Sequence, residues 1–451
     1  MPGKAHTLQK PIYYKGNGEG CQTVSVLYAV QIKSNRFRAI AFRWSMDYNQ
    51  YRSVLPVRPA ERGEGMMAML YRELGNTGRK VGVIGLGCEH LDQKPYEHVA
   101  ETIHAAMEGG MNLLDVFMPG REVRENIAKA IAGRRGDVMI QGHICSTDIG
   151  QQYDISRDLP TVRRYFEDCL RIFGGYIDFG MLFFIDKEAD YQAVFQTGLI
   201  EYVQQLKKRG DIGHIGFSSH NPAIARRVVE TGLVETMMFS INLAFDLYPA
   251  GKDVLDFFEE GIQTGMFRDP KRTALYTLCE QKGVGITVMK TLGAGKLLSP
   301  EHTPFAEPMT VAQCVHYALC RPAVASVLVG CQSSAEIKNT LRYLAATDLE
   351  RDYAPFMAAS GKDFRGSCVY CNHCQPCPSE IDIAAVTRYL DIAKLDESNI
   401  PPSVRNHYGS LDHRGDQCVA CGSCENRCPF GVPVIDNMRE AERVFRQDTG
   451  G

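Results

Sequence analysis

Val81-Gly-Val-Ile-Gly-Leu-Gly87, Tyr96-Glu-His-Val-Ala-Glu-Thr-Ile-His-Ala-Ala-Met-Glu-Gly109 and Asn112-Leu-Leu-Asp-Val-Phe117 follow one another and decide the fold of most of this chain. The first and third runs are short and apolar, the pattern of strands buried on both faces. The run between them is amphipathic with a helical period. From Tyr71 onward this alternation occurs eight times. The further strand candidates are Val138–Ile144, Tyr176–Ile185, Ile212–Ser219, Glu235–Asn242, Gly285–Lys290 and Val324–Gly330. Helices are predicted over Val123–Ala132, Thr161–Phe173, Leu199–Lys208, Pro222–Thr231, Thr273–Lys282, Val311–Leu319 and Ser334–Ala346. Eight strand–helix units over about 270 residues predict an α/β fold, a closed parallel (β/α)8 barrel. An open doubly wound sheet is the alternative, but Gly85-Leu-Gly87-Cys88 is only a Gly-bearing strand end and not a dinucleotide fingerprint. The long connection from Ala244 to Arg272 is expected to fold over the barrel mouth.

Working outward, residues 1–66 are basic, hold the only tryptophan (Trp44) and show no sustained periodicity. Glu61-Arg-Gly-Glu-Gly65 can be encoded by a purine run resembling a bacterial ribosome-binding site, just before Met66, Met67 and Met69. Translation is therefore expected to start at one of these methionines, leaving 1–66 as a disordered or artefactual extension; a genuine extension is the rival reading. Residues 348–366 read as a polar linker. Beyond them, Ile381–Ala393 and Val434–Phe445 carry helical periodicity, each after a Cys-Pro pair.

Those pairs close two cysteine runs. One is Cys368-Val-Tyr-Cys371-Asn-His-Cys374-Gln-Pro-Cys377-Pro378, the other Cys418-Val-Ala-Cys421-Gly-Ser-Cys424-Glu-Asn-Arg-Cys428-Pro429. This is the spacing with which two-cluster ferredoxins hold [4Fe–4S] cubes, each run giving three sulfurs to one cube and its last to the other. One cluster would take Cys368, Cys371, Cys374 and Cys428; the other would take Cys418, Cys421, Cys424 and Cys377. The first run departs from the bacterial pattern by having two residues, not three, before its last cysteine. Paired structural zinc sites are the alternative, although zinc does not explain both Cys-Pro endings. The module over 367–446 resembles the helical ferredoxin units of fumarate and succinate reductases.

Composition bounds the rest. The 451 residues are 44% hydrophobic and 23% charged with a formal net charge of −3, which suggests neither nucleic acid nor a membrane surface as partner. Eight of the sixteen cysteines lie outside the two runs, scattered without a disulfide framework, as in a reducing cytosol. No apolar run approaches the ~20 residues of a membrane span. Val24–Ile32 lacks the flanks of a signal peptide. A cytoplasmic location is expected.

Tyr71-Arg-Glu-Leu-Gly-Asn-Thr-Gly-Arg-Lys-Val81, Asn112-Leu-Leu-Asp115, Tyr176-Ile-Asp178, Ile215-Gly-Phe-Ser-Ser219, Val284-Gly-Ile-Thr-Val-Met-Lys290 and Ala325-Ser-Val-Leu-Val-Gly330 resemble an aldo-keto reductase, in order and spacing. The likeness covers roughly residues 69–347 and, with the tail, resembles a ferredoxin-fused bacterial branch. It implies hydride transfer from NADPH to a carbonyl, with a tyrosine as proton donor, a lysine paired with an aspartate beside it, and a histidine orienting the substrate. Asp115 stands where the aspartate belongs. Gly120 takes the place of the tyrosine, His143 that of the lysine and Phe183 that of the histidine. The ordinary carbonyl-reducing mechanism is therefore not expected as it stands. The nucleotide site departs as well. Cys331-Gln-Ser-Ser-Ala-Glu336 offers a carboxylate where an arginine would hold a 2′-phosphate, and Met289 stands where an aromatic would stack on nicotinamide. Ser219, Ser240 and Gly330 remain compatible with a nucleotide.

Barrel-strand ends carry the functional groups of this architecture. Here they supply Cys88, Glu89, His90, Asp115, His143, Cys145, His220, Asn221, Asn242, Lys290 and Gln332. An Asp115–His143 pair is a candidate proton donor, since a carboxylate orients an imidazole and raises its basicity. Lys290 is a candidate holder of an anionic group. Cys88 and Cys145 read as small buried residues, and Phe183-Phe184 as core. The leading expectation is an iron–sulfur oxidoreductase whose clusters pass electrons between an external carrier of ferredoxin or flavodoxin type and a small-molecule ligand in the barrel. An NAD(P)-dependent reductase with structural clusters, and a non-catalytic electron-carrier or binding protein, are the alternatives.

Overall fold

Eight parallel strands close into a barrel: β1 (Ile84–Gly87), β2 (Leu113–Val116), β3 (Met139–Ile144), β4 (Ile177–Leu182), β5 (Ile212–Ser219), β6 (Thr236–Ser240), β7 (Gly285–Met289) and β8 (Val324–Gly330), with β8 pairing back to β1. Around them lie α1 (Tyr96–Glu108), α2 (Arg121–Ala130), α3 (Leu159–Ile172), α4 (Gly198–Arg209), α5 (Pro222–Glu230), α6 (Pro270–Lys282), α7 (Val311–Leu319) and α8 (Ser334–Leu341). The computed structural model describes residues 12–15, 24–27, 68–149, 152–247, 270–359 and 366–446.

Local chemistry sets the helix boundaries. Asn221 caps α5 by accepting from the Ala223 and Ile224 amides, with Pro222 opening the helix. Thr310 and Gln313 form a capping box on α7, and α4 ends on Gly210 at a left-handed φ of 81°. Alternation along the strands fills the barrel. Leu113, Phe179, Met181, Met238, Met289, Ala325 and Leu328 form one interior cluster, separate from the shell beneath the helices. The same period of two sends Asp115, which follows Leu113 by two, and His143, which follows Gln141 by two, toward the strand ends on that face.

The expected first strand, Val81–Gly87, is divided. Lys80–Gly82 pairs antiparallel with Tyr71–Glu73, and only Ile84–Gly87 joins the barrel. Two hydrogen bonds turn the chain there: the Gly82 amide donates to Asn112 Oδ1 (2.8 Å) and the Val83 amide to the Leu70 carbonyl (2.8 Å). Leu74 and Val81 from this hairpin join the interior cluster and plug the barrel base. The fit is backbone to backbone. A Cβ on Gly285 would lie 2.4 Å from the Gly75 nitrogen, so any side chain there would displace the plug.

The tail contributes α9 (Ile383–Ala393), α10 (Pro402–Gly409) and α11 (Val434–Arg446). Val434, Met438 and Ala441 make a buried stripe on α11, which packs on α9. The tail docks on the barrel base. Ser403 Oγ donates to the Glu280 carbonyl, and His407 Nδ1 lies 2.6 Å from Glu280 Oε1 at the lower end of α6. Arg321, just before β8, donates to the Tyr353 hydroxyl (2.8 Å) and the Val369 carbonyl (3.1 Å). Residues 348–359 of the expected linker hold short helices at Asp348–Arg351 and Ala354–Ala359, with Tyr353 fully buried between them. Arg321 explains that order by fixing Tyr353 to the barrel.

The chain divides into two units, Met1–Gly65 and Met66–Gly451. In the first, Ile12–Lys15 pairs antiparallel with Val24–Leu27; the remainder of the expected 1–66 extension lies outside the described residues. So does 248–269, the bulk of the connection expected over the mouth. Among the described residues no helix is long and apolar enough to cross a membrane.

Candidate functional site

At the C-terminal strand ends a cavity of about 580 Å³ is lined by Asp115, His143, Lys290, Gly330, Phe117, Tyr153, Phe183 and Phe184, with Met238, Met289 and Leu328 as its floor. Asp115 and His143 are almost fully buried, with His143 Nε2 2.8 Å from Asp115 Oδ1. Gln141 Nε2 also donates to that oxygen (3.0 Å), and its own carbonyl accepts from Thr287 Oγ1 (3.0 Å). The carboxylate is thus fixed from β3 on one side, with β7 bracing the brace. His143 Nδ1 is buried and has no hydrogen-bond partner. A buried polar atom left open is costly and points to a ligand or water at that position.

Lys290 lies in the same cavity, in a left-handed backbone conformation (φ 60°), its carbonyl accepting from Asn242 Nδ2 (2.8 Å). It forms no ion pair with Asp115, whose partners are Gln141 and His143. Of the three residues expected to touch a nucleotide, only Gly330 lines the cavity, with the His90 ring against it. Ser219 Oγ is engaged within its own rim, its one proton having the Ile185 carbonyl and Asp186 Oδ1 as acceptors within reach. Ser240 Oγ is buried away from the cavity, without a partner. The two serines are therefore removed from the cavity lining, the first by the Asp186 cluster and the second by its depth.

Cys88 and Cys145 are buried. Burial, then the Asp115 charge, pushes the Cys88 thiol well above its usual value, and burial raises Cys145. Neither is poised as a nucleophile. Asp186 lies beyond β4, where it holds His220 Nδ1 at 2.8 Å. Burial opposes its charge, but hydrogen bonds from His220 and Ser219 hold its carboxyl below the ordinary range. Glu336 sits on the opposite rim and accepts from the Gln332 amide (2.8 Å). The α8 N-terminus, where an anion would otherwise bind, thereby has the chain's own carboxylate against it.

The aromatic wall is the feature that sequence reasoning missed. Phe183 stacks on Phe184 with centroids 4.0 Å apart and on Phe117 at 5.6 Å, while Tyr153 meets Phe117 edge-on at 5.3 Å. Tyr153 arrives on an antiparallel hairpin, Ser146–Ile149 with Gln152–Ile155, that follows β3. Its signal was two four-residue runs separated by Gly150-Gln151, a two-residue hairpin spacing.

The cysteine runs share one backbone path. Tyr370 and Asn372 have positive φ (60° and 61°), as do their counterparts Ala420 and Gly422 (53° and 74°). Burial raises Cys368 and Cys371 to about 12, and the charge of Cys428 acts on both and on Cys374. Cys377, from the first run, lines a recess with Cys418, Cys421 and Cys424 of the second. Arg427 ties the runs together, donating to the carbonyls of Cys374 and Pro376 (2.6 Å each). Among the described residues no group of three or more His, Cys, Asp or Glu side chains has the closeness needed for a single metal ion.

Residues 83–309, just over half of the chain, match the model of the aldo/keto reductase family. An uncharacterized oxidoreductase of Bacillus subtilis (strain 168), YqkF, is 23% identical over 314 residues, covering 63% of this chain and 94% of that protein. Among solved structures, the holo form of aldo-keto reductase AKR11C1 from Bacillus halodurans matches with a TM-score of 0.51 at 19% identity, covering 65% of this chain and 97% of that one.

Proposed function

Given that the chain belongs to the aldo/keto reductase family and is an oxidoreductase, we propose that its tail is a ferredoxin-like module with two [4Fe–4S] clusters, exchanging electrons with a ligand in the barrel mouth. Cys368, Cys371, Cys374 and Cys428 would hold one cube, and Cys418, Cys421, Cys424 and Cys377 the other. The observation that carries this reading is the crossing of the runs: Cys377 lines the recess of Cys418, Cys421 and Cys424, and Arg427, next to Cys428, donates to the Cys374 and Pro376 carbonyls of the first run. Thiols that burial holds protonated become ligands once a cation offsets their charge. Bound there, the clusters would supply single electrons, with an external carrier of ferredoxin or flavodoxin type as the partner. A reducing, cytoplasmic compartment suits such a protein.

The barrel's own groups handle the proton. Asp115 holds His143 through Nε2, which leaves Nδ1 to face a ligand oxygen. With one ring nitrogen engaged by the Asp115 carboxylate, Nδ1 is the atom through which the imidazole would exchange a proton with that oxygen. This replaces the tyrosine–lysine arrangement of the family without needing either residue.

One observation favours a second reading, in which the clusters are staples beside a remodelled NAD(P) reductase. Cys320, at the base end of β8, packs with Cys368 and Tyr370. The cavity begins at Leu328–Gly330, at the far end of that strand. At about 3.3 Å per residue, β8 puts roughly 20 Å between the first cluster position and the mouth. Anaerobic reconstitution followed by dithionite and then NADH or NADPH separates the two. Clusters that bleach reversibly support electron transfer; clusters that resist reduction, beside a barrel that binds NAD(P)H, support the staple.

A further inference from the structure

We propose that Tyr153 is a ligand-contacting hydrogen-bond donor of the barrel mouth, acting beside His143 on the oxygen of a planar aromatic ligand. The proposal rests on reading the mouth as the ligand site. It does not depend on the clusters.

Tyr153 lines the same cavity as Asp115, His143 and Lys290. Phe183 stands between the two residues, edge-on to His143 with centroids 5.1 Å apart and edge-on to Tyr153 at 5.9 Å. Tyr153 is about half exposed, and its hydroxyl makes no hydrogen bond among the described residues. His143 Nδ1 is the other polar atom left open, and it is fully buried. Two open polar atoms at different depths of one aromatic-walled cavity, the Tyr153 hydroxyl and His143 Nδ1, match a ligand with a flat apolar body and a polar oxygen.

The hairpin is anchored so that Tyr153 can be positioned. Cys145 turns the chain out of β3 at a left-handed φ of 78°, and its carbonyl accepts from the Ser156 amide (3.1 Å). Ser146 Oγ donates to the Phe117 carbonyl (2.6 Å), and Tyr165 on α3 donates to the Asp148 carbonyl (3.1 Å). The first leg is thus tied to Phe117 and to α3, and the second, which carries Tyr153, pairs with it at Asp148. Burial and the Glu89 charge raise the phenol above its ordinary value, so it remains protonated at neutral pH and serves as donor, not as base.

The test uses fluorine NMR titration of the full-length, reconstituted protein with 4-fluorophenol and with fluorobenzene, which lacks the oxygen. Removing one hydrogen-bond donor should cost about tenfold in affinity. Tyr153→Phe is expected to weaken 4-fluorophenol by that factor and leave fluorobenzene unchanged, whereas Tyr153→Ala weakens both. Equal 4-fluorophenol affinity in the wild type and Tyr153→Phe overturns the proposal, as does a wild type that binds neither probe. Iron content of the same samples reports on the cluster reading independently, so failure of one is distinguishable from failure of the other.

Discussion

The two ends of this barrel handle their polar groups in opposite ways. At the base, Arg72 donates to the Leu319 and Val324 carbonyls, Arg135 pairs with Asp178, and Glu280 accepts from His407 and from the Ala323 amide. At the mouth, His143 Nδ1 has no partner, and Lys290 and the Tyr153 hydroxyl are held by no described side chain. Groups that are satisfied hold a structure together. Groups left open await a ligand. The base is where the tail docks, so that end of the barrel is an internal interface and the mouth is left for chemistry.

Substitutions should therefore separate stability from activity according to the end they touch. The largest effect is expected at Arg321, which is buried and donates to Tyr353, Val369 and Tyr317. Arg321→Ala should lose about 3–5 kcal/mol of unfolding free energy in denaturant titration, because its buried acceptors lose their donor. A loss below 1 kcal/mol would mean that the tail does not depend on this contact.

On the proposed reading, His143→Gln should slow reduction of the ligand in the barrel mouth by about 10²-fold or more, with the denaturation midpoint nearly unchanged. An equal loss of stability and activity would make His143 a structural residue. His407→Ala should cost about 1–3 kcal/mol, since Glu280 is buried and loses its imidazole. Burial raises the Glu280 carboxyl, but the His407 hydrogen bond and charge, the Arg388 charge and the Ala323 amide together outweigh it, and the net direction is down. A carboxylate depressed on folding stabilises fully above the unfolded value of about 4.3, and the stabilisation disappears as pH falls through the lower folded value. In the wild type the base contact should hold at neutral pH and weaken in acid. A His407→Ala variant with the wild-type acid profile would contradict that. The smallest effect is expected at Lys290. Lys290→Met should change stability by no more than about 0.5 kcal/mol while weakening anionic ligands in equilibrium binding.

Sequence reasoning located the barrel because a strand covered on both faces is an apolar run, and runs such as Ile212–Ser219 and Val324–Gly330 have turn residues at both ends. It failed where structure is made by contacts distant in sequence. Val81 read as part of the first strand, but Asn112 and Leu70 pull that end into the plugging hairpin. Pro402–Gly409 went unread because its buried residues, Ser403, Val404 and Tyr408, make no sustained helical stripe, and its docking contact Glu280 lies over a hundred residues away. In the site, Asp115 and His143 were paired from strand ends and are in contact. Tyr153 was missed because a polar hairpin has no apolar run to announce it. Ser219 shows the converse: a serine at a strand end is legible, but the Asp186 that engages it is not.

The tail is where one measurement decides most. Iron and acid-labile sulfide should be counted after anaerobic reconstitution in the wild type and in Cys428→Ser. Two cubes require about eight irons per chain, and the crosswise assignment predicts that the variant loses the cube of the first run and keeps about four. Colourless protein with stoichiometric zinc, or a variant that loses the cube of its own run, would contradict the account.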